Sequence, residues 1–373
     1  MRQKFVRVLA GTAIAALGVT GVAGCQDSGT NNAGGGGEGC VGKIASFGAF
    51  SGPNSGLVLP SLNGSKLAVK QFNEKENCEV ELIPFDTQGN PTQATPIASQ
   101  IVQNQEILGA IGGAFSGESN ATMPTFEAGK VAMVSPSATA IELTTKGNKA
   151  FHRVVGHDGI QGAAAAQFIK DKLQAKKVFV IDDSTTYGAG IAAETTKALG
   201  ALVAGSDKVQ EKQSNFAATV SKVKGANVDV VVYAGYTNEA APLLKQLRSG
   251  GVNAKFVGFD GLYDPNFPKG AGSAAEGAIV TCPCLPAEKA GGTFSADYQK
   301  EYGQAPGSYG AEGYDAAMII LEGIKAGNTT RDKMLEFVKK YDKDGVSKSL
   351  KFDDKGDVDR SRVVIWAYEV KGG

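Results

Sequence analysis

Two doubly wound α/β lobes, each a parallel sheet flanked by helices, are the fold this sequence predicts. Three observations point there. Short apolar runs alternate with amphipathic segments from residue 40 onward, the alternation comes in two successive series, and three helical patterns near the C-terminus have no strands between them. Strand–helix–strand spacing of this kind reads as βαβ units. Of the 373 residues, roughly 330 belong to this part, enough for two domains of ordinary size.

In the first series the expected strands are Lys43–Phe50, Glu79–Phe85, Leu108–Gly112 and Val131–Ser135, with helices at Asn63–Glu76 and Ala94–Asn104. In the second they are Lys177–Asp182, Ala201–Val209, Val228–Ala234 and Lys255–Phe259, with helices at Gly159–Leu173, Gly188–Leu199, Asn215–Val223 and Asn238–Ser249. The divide falls near Gly156-His157-Asp158. Helices at Thr293–Tyr302, Tyr309–Ala326 and Arg331–Tyr341 follow, then a last strand, Arg362–Val370. Helices without a sheet of their own are best used to cover faces the first lobe leaves bare, so the chain is expected to cross between lobes more than once. Asp354-Lys-Gly356 is a hairpin turn signal. The run Asp353 to Asp359 has a misplaced glycine and no terminal Glu, so turn is preferred to a calcium loop.

The N-terminus carries an address. Arg2, Lys4 and Arg7 precede an apolar run from Val8 to Val22, then Ala23-Gly24-Cys25. Three cations, a short apolar stretch and small residues read as a secretory signal over residues 1–24. The stretch is too short for a stable membrane-spanning helix. Small residues directly before a cysteine resemble the bacterial lipoprotein signal, in which Cys25 is lipidated and becomes the new N-terminus. The alternative is plain secretion with Cys25 near the cleavage site by chance. Gln26–Gly39 is polar and Gly-rich, which suits a flexible tether over residues 25–40. The expected location is therefore extracytoplasmic, held to the membrane by a lipid anchor.

Removing the leader removes three of the 38 cations and none of the 38 acids, so the mature chain is slightly acidic. Nucleic acid and anionic lipid are not expected partners. Two histidines and one tryptophan disfavour a metalloenzyme or a histidine-based catalyst; no cofactor, metal or catalytic residue is expected. With Cys25 assigned to lipid, Cys40, Cys78, Cys282 and Cys284 remain, and four cysteines allow three pairings. Cys40 and Cys78 each lie just before a predicted strand. If those strands are parallel neighbours, the two starts can be bridged, contributing about 3–4 kcal/mol in the chain-entropy view. Cys282 and Cys284 then pair with each other.

Ligands of open parallel sheets bind beyond the carboxyl ends of strands, where helix N-termini present free N–H groups. At those positions Gly-Ala-Phe-Ser-Gly occurs twice, at Gly48–Gly52 and Gly113–Gly117, and the fourth strand runs into Ser135-Pro136-Ser137-Ala138-Thr139. The second series offers Asp182-Asp183-Ser184-Thr185-Thr186-Tyr187-Gly188, Tyr233-Ala-Gly-Tyr236 and Phe259-Asp260-Gly261. Hydroxyls and helix N-termini on one side suit a carboxylate; tyrosines with Asp260 on the other suit an ammonium. Together they describe a zwitterion site. Singly, such residues serve as N-caps and amphipathic surface, and for Ser51 and Thr186 that plain role is preferred.

The segments Ile111–Ser116, Val134–Thr139 with Glu142-Leu-Thr144, Asp183–Gly188, Tyr233–Tyr236 and Phe256–Gly261, in unbroken order, resemble the branched-chain amino-acid-binding proteins of bacterial ABC transporters. These are type I periplasmic-type binding proteins. The resemblance implies two lobes joined by a multi-strand hinge crossed three times. Residues 41–157 plus 286–348 would form the first lobe and 158–285 plus 349–373 the second. It implies that Ser116, Ser137 and Thr139 grip the α-carboxylate and α-amino groups, that Tyr187 and Tyr236 close over the ligand, that Asp260 pairs with the ammonium, and that Tyr309 lines the pocket. Relatives often carry an aromatic residue after the Ser51-Gly-Pro53 loop, where this chain has Asn54-Ser-Gly-Leu57, and a smaller residue than Phe115. Phe50, Leu57 and Phe115 then argue for an apolar ligand side chain: leucine, isoleucine, valine or another apolar amino acid.

The expected partners are a free amino acid, a membrane permease of the ABC transporter class and the membrane through the anchor, with the protein itself a monomer. A receptor or sensor of the same fold for an amide or urea-type ligand is the alternative. An extracytoplasmic hydrolase is the rival in another class, because Gly117-Glu-Ser119-Asn-Ala121 resembles a nucleophile elbow with its last glycine replaced. Helix N-cap is the plainer role for Ser119.

Overall fold

A computed structural model describes residues 6–8 and 40–371 of the chain. Cys25 and most of the leader and tether lie outside the described residues. Residues Val6–Val8 form a strand, β1. The first lobe follows as β2 (Val41–Gly48), α1 (Ser55–Glu76), β3 (Glu79–Asp86), α2 (Pro91–Gln103), β4 (Ile107–Ile111), α3 (Ser116–Ala128), β5 (Ala132–Ser135), α4 (Glu142–Thr145) and β6 (Phe151–Arg153). Its five strands lie in the order β3-β2-β4-β5-β6, all parallel. The central strands β4 and β5 are buried throughout, as expected for runs apolar on both faces.

The second lobe begins with α5 (Asp158–Asp171), β7 (Val178–Asp182), α6 (Thr186–Leu199), β8 (Val203–Lys208), α7 (Ala217–Ala226), β9 (Val230–Ala234), α8 (Thr237–Ser249), β10 (Lys255–Gly258), α9 (Asn266–Ala271) and β11 (Ile279–Cys282). The chain then returns to the first lobe for α10 (Phe294–Tyr302), α11 (Gly310–Lys325), α12 (Arg331–Lys339) and the hairpin β12 (Asp342–Asp344) and β13 (Ser349–Lys351). It crosses once more to end in β14 (Ile365–Glu369). The second sheet runs β1-β14-β11-β10-β9-β7-β8. β7 to β11 are parallel, whereas at one edge β14 runs antiparallel to β11, and β1 antiparallel to β14. The second sheet is therefore mixed, not purely parallel.

Each sheet is packed on both faces. In the first lobe one face joins Ile44, Leu108 and Val134 to Ile319, Ile320 and Ile324 of α11, and the other joins Ala45, Phe47 and Met133 to Ile101, Met123 and Phe126. The C-terminal helices thus cover the first sheet, as their lack of strands implied. In the second lobe Val178, Val180 and Val232 face α5 and α6, while Phe179, Val231 and Phe256 face α8 and α9. The former cluster continues through Tyr187 and Tyr236 to Leu57, Phe115 and Tyr309 of the first lobe, so apolar packing runs across the interlobe seam.

The structure departs from the sequence expectation at several elements. Helix α1 starts at Ser55, not Asn63, and holds Pro60 inside it. Helix α3 and the short strands β6 and β11 were not foreseen. Leu350, Phe352 and Val358 belong to the first lobe's core, so the last crossing follows Val358 instead of lying at residues 348–349. The turn at 354–356 is present: the Asp353 N–H donates to the Asp357 carbonyl at 2.8 Å, and Gly356 has φ +91°. Disulfides join Cys40 to Cys78 and Cys282 to Cys284. The first ties the starts of β2 and β3, which pair as neighbours.

Candidate ligand-binding site

The loops leaving β4 and β5 form one wall of a small cavity between the lobes. After β4 the chain passes Gly112-Gly113 and enters α3, with Phe115 extended at the N-cap and Ser116 the first helical residue. Phe115 has no polar side chain to cap the helix, so Glu118 reaches back: its carboxylate accepts the Phe115 N–H at 3.0 Å and the Thr87 hydroxyl. Burial pushes the Glu118 carboxyl up to about 7. After β5, the Ser135 hydroxyl donates to the Gly113 carbonyl at 2.8 Å and accepts the Ala138 N–H at 3.0 Å. The Ser116 hydroxyl oxygen accepts the Ala140 N–H at 3.1 Å. These two bonds lace the two loops together.

The hydroxyls at this wall differ in what they have left to give. Ser116 accepts, so its proton is free to donate. Ser137 donates to the Ala114 carbonyl at 2.8 Å, so its lone pairs remain. Thr139 is fully buried, with the Asp158 carboxyl beside its hydroxyl but no well-formed hydrogen bond between them. A buried hydroxyl left unpaired costs free energy, and a ligand that pairs with it recovers that cost.

The opposite wall comes from the ends of β7, β9 and β10. Thr185 caps α6 by accepting the Gly188 N–H at 2.9 Å, which sets Tyr187 in the first turn. Asp183 binds both tyrosine-bearing loops, accepting the Thr185 N–H at 3.0 Å and the Tyr236 N–H at 3.1 Å. A Cβ at Gly188 would lie 2.1 Å from Asp183 Oδ1, and one at Gly235 2.4 Å from Oδ2, so glycine is required at both. Burial raises the Asp183 carboxyl to about 6. The Tyr236 ring lies between Tyr187, at 5.1 Å, and Phe115 of the first lobe, at 4.8 Å.

Asp260 sits at the centre, only 4 % exposed. The Tyr187 hydroxyl donates to Oδ1 at 2.8 Å and the Tyr309 hydroxyl to Oδ2 at 2.6 Å. Tyr309 leads into α11 of the first lobe, so its bond spans the seam. Burial raises the Asp260 carboxyl above the usual range, and the two tyrosine hydroxyls oppose the rise. Among the described residues no lysine, arginine or histidine forms an ion pair with it.

Leu57, Ala114, Phe115, Ser116, Ser137, Thr139, Tyr187, Tyr236, Asp260 and Tyr309 line this cavity, which is nearly closed at about 10 Å³. All nine binding residues expected from the sequence are thus in one place. A larger apolar hollow of about 350 Å³ opens farther along the seam beside Leu59, Pro60, Phe267 and Tyr368, away from the convergent donors.

Four buried charges near the site were not singled out. Arg153 is fully buried and donates to the Ala138 and Ala140 carbonyls at 3.2 and 2.8 Å, to Thr144, and to Asp357. It holds the loop that presents Thr139. Asp158 is also fully buried; burial pushes its carboxyl up to about 7, and the neighbouring Thr139 hydroxyl opposes the rise. Its charge raises the tyrosines at 187, 236 and 309 further. Glu118 and Asp183 are the other two. Ser119 is not an N-cap: it lies in the first turn of α3, and its hydroxyl donates to the Gly113 carbonyl at 3.1 Å.

The sequence pattern of the periplasmic binding protein family matches residues 42–373. The chain belongs to this family. It is 31 % identical over 324 residues to the leucine-, isoleucine-, valine-, threonine- and alanine-binding protein of Pseudomonas aeruginosa, covering 85 % of this chain and 87 % of that one. It is 29 % identical to the Leu/Ile/Val-binding protein of Escherichia coli, covering 88 % and 91 %. Among solved structures, a leucine-binding protein from Thermotoga maritima superposes with a TM-score of 0.81 at 29 % identity, covering 88 % of this chain and 95 % of that one. A Streptococcus pneumoniae branched-chain amino-acid transporter substrate-binding protein, solved with isoleucine, has the same fold at a TM-score of 0.82 and 23 % identity, covering 89 % and 96 %. Among the described residues no group of His, Cys, Asp and Glu could hold a metal ion, and no helix is long and apolar enough to cross a membrane.

Proposed function

We propose that this chain is an extracytoplasmic receptor that captures a free amino acid with an apolar side chain, branched-chain above all, by lobe closure and passes it to an ABC transporter permease. The observation that carries this reading is Asp260, a buried acid held by two tyrosine hydroxyls with no cation paired to it. A ligand ammonium would supply that cation, since a carboxylate has lone pairs beyond the two already used. The ligand carboxylate would meet the Ser116 proton, the Thr139 hydroxyl and the free N–H groups opening α3. Ser137 would accept from the ammonium. Leu57, Ala114 and Phe115 offer the side chain an apolar wall.

The ligands named for the relatives agree with this chemistry. An uncharged amide or urea-type ligand fits less well, because it would leave Asp260 without a counter-charge. Catalysis is not part of the reading: the Ser119 hydroxyl is buried and spent on a backbone carbonyl. The leader and Cys25 support a lipid-anchored receptor, acting as a monomer in this reading.

Removing one member of a buried charge pair costs on the order of 3–5 kcal/mol. Asp260→Ala is therefore expected to weaken leucine or valine binding at least tenfold by calorimetry. An affinity equal to that of the parent would overturn the assignment.

A further inference from the structure

Away from the ligand cavity, the N-terminal turn of α1 in the first lobe meets the turn between β10 and α9 in the second. A Cβ on Gly56 would lie 2.6 Å from Asp264 Oδ1 and 2.8 Å from Asn266 Nδ2, so a side chain at residue 56 would have to displace these two side chains or part the two surfaces. Asn54, the N-cap of α1, makes no side-chain cap bond. The helix therefore presents its N-terminal dipole to the other lobe without a cap of its own. What faces it is an acid: Asp264 is 3 % exposed, its Oδ1 accepts the Asn266 N–H at 2.7 Å, and its Oδ2 has no hydrogen-bond partner.

The same turn is gripped at two further points. The Ser308 hydroxyl of the first lobe donates to the Tyr263 carbonyl, and Tyr309 donates to Asp260. Asp260 and Asp264 are four residues apart on one short segment. Asp260, held from the cavity, and Asp264, held against α1, therefore sit on one segment, and both contacts cross between the lobes.

We infer that the α1 N-terminus and the Asp264–Asn266 turn form a closure latch, and that Gly56 and Asp264 set ligand affinity without touching the ligand. A contact made only in the closed arrangement favours that arrangement, and ligand affinity follows the closed population. Alanine at position 56 keeps a helical backbone and has the better helix propensity, so the fold of the first lobe is not the thing being changed.

The test combines Gly56→Ala, Asp264→Asn and their double variant, the asparagine keeping the Oδ1 acceptor for Asn266. Interlobe distances from a dye pair, one dye per lobe, report the closed fraction with and without leucine, and calorimetry reports affinity. Gly56→Ala is expected to lower the ligand-free closed fraction and weaken binding at least tenfold, mainly through faster release, with no fall in the melting temperature of the ligand-free protein. Asp264→Asn is expected to cost about threefold, and the double variant no more than Gly56→Ala alone, because both break one contact. A closed fraction unchanged by Gly56→Ala, or losses that multiply in the double variant, would overturn the latch. The inference rests on the receptor reading only for the affinity measurement: a parent that binds no amino acid defeats that reading, while the ligand-free closed fraction still decides the latch.

Discussion

At Glu118 a carboxylate does the work of a helix cap from inside the fold, and its burial has a cost that depends on pH. Its carboxyl moves from the ordinary 4.5 to about 7. Between those values the folded chain keeps a proton that the unfolded chain has lost, so stability falls as pH rises through that window and the deficit is complete above about 7. The shift corresponds to roughly 3 kcal/mol. Glu118→Gln keeps one oxygen for the Phe115 N–H and offers its amide to the Thr87 oxygen. The variant is expected to be more stable than the parent by up to about 3 kcal/mol at pH 8, and the gap should close by pH 4. Denaturant unfolding at the two pH values checks this, and a gap independent of pH would refute it. Nothing in the sequence marked Glu118, because the same residue three positions into a helix is usually a solvated first-turn acid. The cavity residues were legible for the opposite reason. Ser116, Thr139, Tyr187 and Asp260 follow strands directly, and strand ends of parallel sheets converge whatever the loops do.

The loop after β5 shows what an element needs beyond its own sequence. It carries Ser137 and Thr139 and makes few backbone bonds of its own; its carbonyls are collected by Arg153, which is anchored in turn by Asp357, 204 residues away in sequence. β6, which carries Arg153, has three residues, too few to show any periodicity. Helix α1 was read eight residues short because Ser, Gly and Pro open it. Its first turns persist because Leu57, Val58, Ser61 and Leu62 are buried, and burial outweighs local propensity. Arg153→Ala leaves carbonyls and a carboxylate without their partner. It is expected to cost about 3–5 kcal/mol of stability and to weaken ligand binding, both read from urea unfolding and calorimetry. A stability loss below about 1 kcal/mol would show that the loop holds itself.

On the scale of the whole molecule, the first two crossings of the seam sit beside buried groups that tie the lobes to the strands. Asp158 and Gln161 begin α5 after the first, with Gln161 donating to the Thr281 carbonyl at 2.9 Å. Cys282 and Cys284 occupy the second, where the Leu285 N–H donates to Glu312 at 2.9 Å. The lobes can move as bodies about these strands while the ligand groups stay divided between them, so recognition and closure are one event. The proposed tether would add a separate constraint. A lipid on Cys25 would hold the receptor near its permease, while among the described residues the cavity is lined by the two lobes. Such an anchor would raise the local concentration of receptor at the membrane, with ligand affinity left to the lobes. Cys25→Ser is therefore expected to move the protein from the membrane fraction to the soluble one while leaving its amino-acid affinity unchanged. Fractionation and calorimetry on the same preparation check both halves, and a variant that stays with the membrane would remove the lipid from the account and leave the receptor intact.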